Sequence, residues 1–519
     1  MAQAMYPGDH ARETPDKPAV IHASSGRVVT YRELDARSNQ LARYLQAQGL
    51  RPGDHIAVLM DNNPRYFEAV WAALRSGLMV TPVNRYLTAG ETAYILADSA
   101  ARAVISSHAM RELATGWAAL ADAQTPGACP IRLMVDGVVP GWTSYEEAIA
   151  AYPTQRLDDE TLGATMLYSS GTTGRPKGVV KAQPQGRPAD GPARHEPMRT
   201  FGFSRDTVYL SPAPLYHAAP LGYSIYTQYL GGTVVVMDKF DALEALRMIE
   251  KYRITHSQWV PTMFVRMLKL PPEQRAAFDL SSHQAAVHAA APCPVEVKQQ
   301  MIDWWGPILV EYYGGSEGNG ATALDTAQWL SHPGSVGRAI IGTLHICDDD
   351  GNELPVGETG VVYFERDELP FRYHNDPEKT RNAQHPHHPN WTTLGDIGRV
   401  DADGFLYLTD RKAFMIISGG VNIYPQQVED ALALHPQVLD VAVIGVPNEE
   451  MGEEVKAFVE PAPGVQPSEA LAEELIEFLR SRVARYMVPR TIEFVDELPR
   501  TPTGKLQKHV LRARYVTPR

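Results

Sequence analysis

The stretch "LYSSGTTGRPKGVV", residues 167–180, gathers Ser169, Ser170, Thr172 and Thr173 with Gly171, Gly174 and Gly178 around Arg175, Pro176 and Lys177. It follows an apolar run (Ala164, Met166, Leu167) and runs into Val179 and Val180, which read as a strand. Glycines let backbone N–H groups approach and turn toward an anion, hydroxyls add donors, and Arg175 and Lys177 supply charge. The local chemistry is that of a phosphate-binding loop. It is not the Walker pattern, which needs four residues between Gly and Gly-Lys-Ser/Thr, whereas Gly171, Gly174 and Lys177 follow one another at intervals of three.

On the N-terminal side of this loop, helical and strand patterns alternate. Thr30 reads as an N-cap with Glu33 three residues on, followed by Leu34, Leu41 and Leu45, with Gly49 as the stop. "DHIAVLMDN" reads as a buried strand, "RYFEAVWAALRSG" as a helix ended by Gly77, "LMVTPVN" as a strand, "TAGETAYILADSA" as a helix and "RAVISS" as a strand. This alternation predicts an α/β fold with a doubly wound parallel sheet. The pattern recurs over residues 206–312, and from about residue 333 to 410 short strands and hairpin turns take over, with an Asp-Gly turn in "VDADGFLYL".

Beyond that, Pro425 opens a helix through Val428 and Leu432, "VLDVAVIGV" and "EVKAFVEP" read as strands, and Leu471, Leu475 and Leu479 share a helical face. The expected organisation is a large N-terminal domain, 1–410, with doubly wound sheets and a short-stranded β subdomain. A small α+β C-terminal domain, 411–519, follows it.

With 519 residues the chain is too long for one core. Its 48 cations against 61 anions give a net charge of −13, which argues against a general nucleic-acid partner. Cys129, Cys293 and Cys347 show no pairwise metal spacing and, being odd in number, no disulfide framework. No signal peptide and no transmembrane segment of about 18 apolar residues is visible. A cytoplasmic protein is expected, and a homodimer is left open.

Other segments supply partners for the loop. "YYGGSEGNG", residues 312–320, sets Tyr313 beside glycines, with a hydroxyl at Ser316 and a carboxylate at Glu317. A ring beside bare backbone can stack on a flat base, and a carboxylate near phosphates can hold magnesium. Asp396, in "WTTLGDIGRVD", has two oxygens to accept from both hydroxyls of a ribose. Arg411 lies in "LTDRKAFMIISGGVNIYP", and Lys505 sits in a Gly-containing turn within "LPRTPTGKLQK".

In this order the segments resemble the adenylate-forming superfamily of acyl-CoA synthetases, luciferases and peptide-synthetase adenylation domains, over nearly the whole chain. "YSSGTTGRPKG" matches the family's Ser/Thr-Ser-Gly-Thr-Thr-Gly-x-Pro-Lys-Gly loop without a gap. "YGGSE" matches Tyr-Gly-x-Ser/Thr-Glu, "LGDIG" holds the ribose-binding Asp, and "PRTPTGKLQK" matches the Pro-x-Thr-x-x-Gly-Lys ending.

The resemblance implies an enzyme that activates a carboxylate with ATP to an acyl-adenylate and pyrophosphate, then passes the acyl group to a thiol. Ser169, Ser170, Gly171, Thr172, Thr173, Gly174 and Lys177 would cradle the β- and γ-phosphates. "HAAAPCP" matches a small-residue strand end, so adenine would lie between the backbone near Ala290 and Ala291 and the ring of Tyr313. Ser316 would contact the α-phosphate region, Glu317 would hold Mg²⁺, and Asp396 and Arg411 would hold the ribose. Lys505 would offset charge building on the α-phosphoryl oxygens and the incoming carboxylate. The C-terminal domain would be mobile, closing for adenylation and then rotating to present "ISGGVNIYP", whose Gly419 and Gly420 would admit coenzyme A's narrow pantetheine. His217, in "PAPLYHAAP", matches the family's gate between the ATP site and the thiol tunnel.

Two positions depart from the family pattern. Where the family has a polar hinge, this chain has Ala413 followed by Phe414, and the Thr-His-x-Asn element after the phosphate loop is missing. For the acyl pocket the resemblance points to Leu221, Gly222, Tyr223, Trp259, Val260, Tyr312 and Gly315, with Gly315 opening space and Tyr312 filling a position that is often Gly. No charge there would bind an amino group, so the expected substrate is a hydrophobic carboxylic acid, fatty, branched or cyclic. Free CoA is the simplest acceptor. The alternatives are an acyl-AMP ligase loading a separate carrier protein and a catalytically silent nucleotide-binding regulator.

Overall fold

The computed structural model describes residues 6–124, 127, 129–169, 176–182, 184–190, 200–411, 414–419, 421–500 and 506–515, with only the backbone of Arg411. It is an α/β structure of mixed sheets in two compact units: residues 1–259, 269–287 and 370–380, and residues 260–268, 288–369 and 381–519. Arg411, the expected boundary, lies inside the second unit.

The first unit holds the expected alternating elements. The helix Tyr31–Ala47 begins with a complete capping box, in which the Thr30 side chain accepts from the Glu33 amide and Glu33 bonds back to Thr30. Thr88 and Glu91 start Ala89–Asp98 in the same way. Each box satisfies helix-end donors that would otherwise lack partners. A parallel six-stranded sheet includes His55–Leu59, Met79–Pro82 and Ala101–Ser107. One of its faces packs Leu59, Val104, Trp117 and Trp142 into a core. A second set of parallel strands runs in the order His256–Trp259, Val208–Ser211, Thr233–Val236, Pro18–His22.

In the second unit Leu309–Gly314, Ala321–Asp325 and Arg338–Ile341 form an antiparallel meander. A separate antiparallel sheet contains the hairpin Asp396–Val400 to Leu406–Arg411, turned where Gly404 takes φ +82°. After Ile416 the chain builds its own five-stranded sheet. The long pair Val438–Asn448 and Gly452–Pro461 packs against helices Pro425–Ala433 and Glu469–Arg480. Leu471, Leu475 and Leu479, chosen by helical spacing, are buried there with Val428 and Leu432.

Candidate functional site

The expected residues divide between the two units. In the first, Leu167–Ser169 and Lys177–Val180 are antiparallel strands in which Ser169 lies opposite Lys177. The strands on either side of residues 170–175, the expected phosphate loop, are therefore fixed by ladder pairing. Ser170, Gly171, Thr172, Thr173 and Gly174 lie outside the described residues. The Lys177 ammonium sits 3.3 Å from Asp376.

Also in the first unit, His217 stands at the N-cap position of the helix Ala218–Leu230, with its ring centre 4.1 Å from that of Tyr216. Leu221 and Tyr223 are buried on that helix, and Gly222 lies between them, half-buried. Trp259 is fully buried and donates its indole N–H to the Ser257 hydroxyl at 2.6 Å. That hydroxyl in turn lies 2.6 Å from His283 Nε2.

The second unit encloses a cavity of about 510 Å³. Ala290, Ala291, Tyr312, Tyr313, Gly315 and Asp396, all singled out from the sequence, line it together. Ala290 holds φ +78°, a left-handed conformation that costs a non-glycine residue roughly 1–3 kcal/mol and is typical of ligand-facing backbone. Tyr313 leans on Phe364 at 6.2 Å, and its hydroxyl donates to Asp396 Oδ2 at 2.5 Å. Asp396 is buried and sits directly opposite Arg411 in the ladder, so the two residues expected to share a ribose are cross-strand neighbours.

Ser316 is half-buried and Glu317 buried in the turn that follows, closed by a bond from the Gly318 amide to the Gly315 carbonyl. The space expected beside Gly315 is not open. A Cβ there would lie 2.3 Å from Leu394 Cδ1 and 2.9 Å from a Glu317 oxygen, so Leu394 already occupies it. Among the described residues no three His, Cys, Asp or Glu side chains converge as a metal cage. A single carboxylate such as Glu317 suits Mg²⁺, which binds through one or two carboxylates plus substrate phosphates.

The C-terminal part of the chain lines the cavity as well, through Asp410, Phe414, Gln426, Asp430, Arg500 and Leu506 among others. Arg500 and Leu506 are paired by an isolated bridge, backed by a bond from the Gln507 amide to the Pro499 carbonyl at 2.7 Å. They bracket the segment that carries Lys505, which lies outside the described residues, as do Ala413 and Gly420. Gly419 takes φ +57° at the end of Ile416–Ser418, and its amide bonds to the Met451 carbonyl.

Several contributors escaped the sequence reading. Lys298 and Glu311, the latter on the same strand as Tyr312 and Tyr313, form a buried ion pair at 2.6 Å. Burial and the nearby Lys298 keep His288, 3.7 Å from the same carboxylate, well below its ordinary pKa. Lys508 pairs with Glu429 at 2.8 Å and lies 5.3 Å from the Phe414 ring centre. Lone charged residues at helical positions carry no signal of such pairing. Leu394 was quoted within "LGDIG" but gave no sign of its contact.

The AMP-binding enzyme model matches residues 8–372, and the AMP-binding enzyme C-terminal domain model matches 427–505. A feruloyl-CoA synthase of Amycolatopsis sp is 34% identical over 516 residues, covering 98% of both chains. The fatty acid–[acyl-carrier-protein] ligase ScoC of Streptomyces coeruleorubidus is 31% identical, covering 98% of this chain and 95% of its own length. Among solved structures, the anthranilate CoA ligase AuaEII in complex with anthranoyl-AMP superposes with a TM-score of 0.83 at 26% identity, covering 99% of this chain and 98% of that one.

Proposed function

Because this chain belongs to the AMP-binding enzyme family of the adenylate-forming superfamily, we propose that it is an ATP-dependent ligase that converts a hydrophobic carboxylic acid to its CoA thioester through an acyl-adenylate. The observation that carries the reading is the shared lining of one cavity by Ala290, Tyr313 and Asp396 and by Arg500 and Leu506, the neighbours of Lys505 in sequence.

The substrate carboxylate attacks the α-phosphorus of ATP, and pyrophosphate leaves. The thiol then attacks the acyl carbon, and AMP leaves. Backbone near Ala290 and Ala291 and the ring of Tyr313 would sandwich the adenine, while Asp396 and Arg411 would hold the ribose. The hairpin at Ser169 and Lys177 would receive the β- and γ-phosphates, and Ser316 would contact the α-phosphate. Glu317 would hold Mg²⁺, which supplies positive charge to the phosphates. Lys505 would stabilise the charge that grows on the α-phosphoryl oxygens. His217 would gate the thiol, with Gly419 and Gly420 beside its path.

Leu221, Gly222, Trp259, Tyr312 and Gly315 would shape an apolar acid site. Relatives named for feruloyl, fatty-acyl and anthranilate substrates favour an aromatic or aliphatic acid. ScoC, named for a carrier protein, keeps a carrier as the second acceptor. AMP release measured over a panel of carboxylic acids, with CoA, a phosphopantetheinylated carrier or neither, tests the reading. Acid-dependent thioester formation on CoA supports it, turnover only with the carrier shifts the acceptor, and no AMP release with any acid refutes it.

A further inference from the structure

Lys177 is not left to find the phosphates by itself. Its ammonium lies 3.3 Å from Asp376 Oδ2, and the other carboxylate oxygen accepts from the Lys379 amide at 2.9 Å. We infer that Asp376 is a positioning residue, holding the Lys177 ammonium in place at the start of its strand before ATP arrives. The inference rests on the reading of Lys177 as a phosphate-binding cation.

The local structure fixes the carboxylate. Arg372–Tyr373 adds a third strand to the loop's hairpin, pairing Tyr373 with Val179 and Arg372 with Val180, and the His374 amide bonds to the Gly178 carbonyl. His374 and Asn375 both reach Asp98, the first at its carbonyl (2.9 Å) and the second at its carboxylate (3.2 Å). Asp98 also accepts from the Tyr168 hydroxyl at 2.6 Å, so one anchor ties the hairpin to the segment ending at Asp376. Asn375 takes φ +52°, turning the chain there.

The pair is also partly removed from water, with the Lys177 side chain 16% exposed and that of Asp376 35%. The Lys379 amide and then the Lys177 ammonium hold the Asp376 carboxyl below its ordinary pKa, keeping it ionised.

A lysine has three N–H donors on a flexible four-carbon stem. Asp376 takes one and leaves two for phosphate oxygens. It also orders the stem beforehand, so that its rotamer entropy is not lost at the moment of binding. Removing the charge should therefore weaken ATP selectively.

The test compares Asp376→Asn, Asp376→Ser, Asp376→Glu and Lys177→Met in the full-length enzyme. It reads KM for ATP, KM for the acid, kcat and Tm. Asn and Ser can still accept from the Lys379 amide as a helix cap but cannot hold the ammonium by charge. We expect both to raise KM for ATP roughly 2- to 5-fold with little change in Tm or KM for the acid, and Glu to recover part of the loss. Combining Asp376→Asn with Lys177→Met should add nothing to Lys177→Met alone. A raised KM in Lys177→Met with none in Asp376→Asn overturns the positioning role and leaves the phosphate reading intact. No change in Lys177→Met overturns both. Loss of stability with both KM values raised alike, unrelieved by Glu, makes Asp376 a structural cap.

Discussion

The Tyr313 hydroxyl donates to Asp396 Oδ2 at 2.5 Å, joining two residues 83 positions apart in the chain. The residue expected to stack on the base therefore orients the one expected to hold the sugar. Tyr313→Phe removes this bond while keeping the ring, so ATP affinity should fall by about fivefold, the worth of roughly 1 kcal/mol. Asp396→Ala should cost more, since two charge-assisted ribose bonds at roughly 1.5–3 kcal/mol each would go. Calorimetry with ATP on variants that melt cooperatively checks the order of the two effects. Equal affinity in all three proteins would remove the ribose assignment.

For Lys505 the expected outcome is a split between half-reactions. Lys505→Ala should lower acyl-adenylate formation by at least roughly 10²-fold with little change in ATP affinity, because its charge is needed mainly in the transition state. Thioester formation from a supplied acyl-adenylate should survive. Single-turnover assays of each step decide the matter, and equal loss in both would make the lysine structural.

Gly315 makes a prediction that the sequence alone would have framed differently. Leu394 fills the space beside it, so Gly315→Leu must push Leu394 aside, two residues from Asp396. KM should rise for bulky acids and for ATP together, and adding Leu394→Ala should restore the smaller acids first. Were ATP unaffected and only bulky acids excluded, Leu394 would be moving freely and the site would be a simple steric gate.

Phe414 stands after Ala413, where the family's hinge is usually polar. Its ring is half-buried on the cavity and lies 5.3 Å from the Lys508 ammonium, which is held in turn by Glu429. Burying such a ring is worth roughly 1.5–3 kcal/mol, enough to bias two conformers about 10- to 150-fold. Phe414→Ala should change the adenylation and thioesterification rates in opposite directions. Equal slowing of both steps in rapid-quench measurements would reduce it to a packing residue.

Asp430 offers a pH test. Burial, with Glu429 and Glu296 nearby, raises its carboxyl to about 7 despite the bond from Gln426. A folded pKa above the unfolded one means that the folded state binds the extra proton. The contribution is full below the ordinary carboxylate range and is lost as pH rises toward 7. Asp430→Asn mimics the protonated form, so its stability relative to the parent should grow from pH 4 to 7 and then level off. Denaturant melts across that range measure the difference, and a pH-independent gap would contradict it.

The sequence by itself determined the alternating elements and pointed to the candidate nucleotide motifs, because both are local. A capping box such as Thr30 with Glu33 needs only residues three apart, and a loop of glycines, hydroxyls and Lys177 suggests a phosphate ligand by composition. Tyr313 and Asp396 were nameable from their own segments, and Ala290 from the resemblance of its segment to the family's strand end. What their neighbours do was decided only in three dimensions. Asp376 against Lys177, Leu394 in the space at Gly315 and Lys298 under Glu311 are contacts made when distant strands and helices are brought side by side. A lone Asp, Leu or Lys looks the same in sequence whether it faces water or a partner. Only burial, which raises the cost of leaving a charge unpaired, distinguishes them.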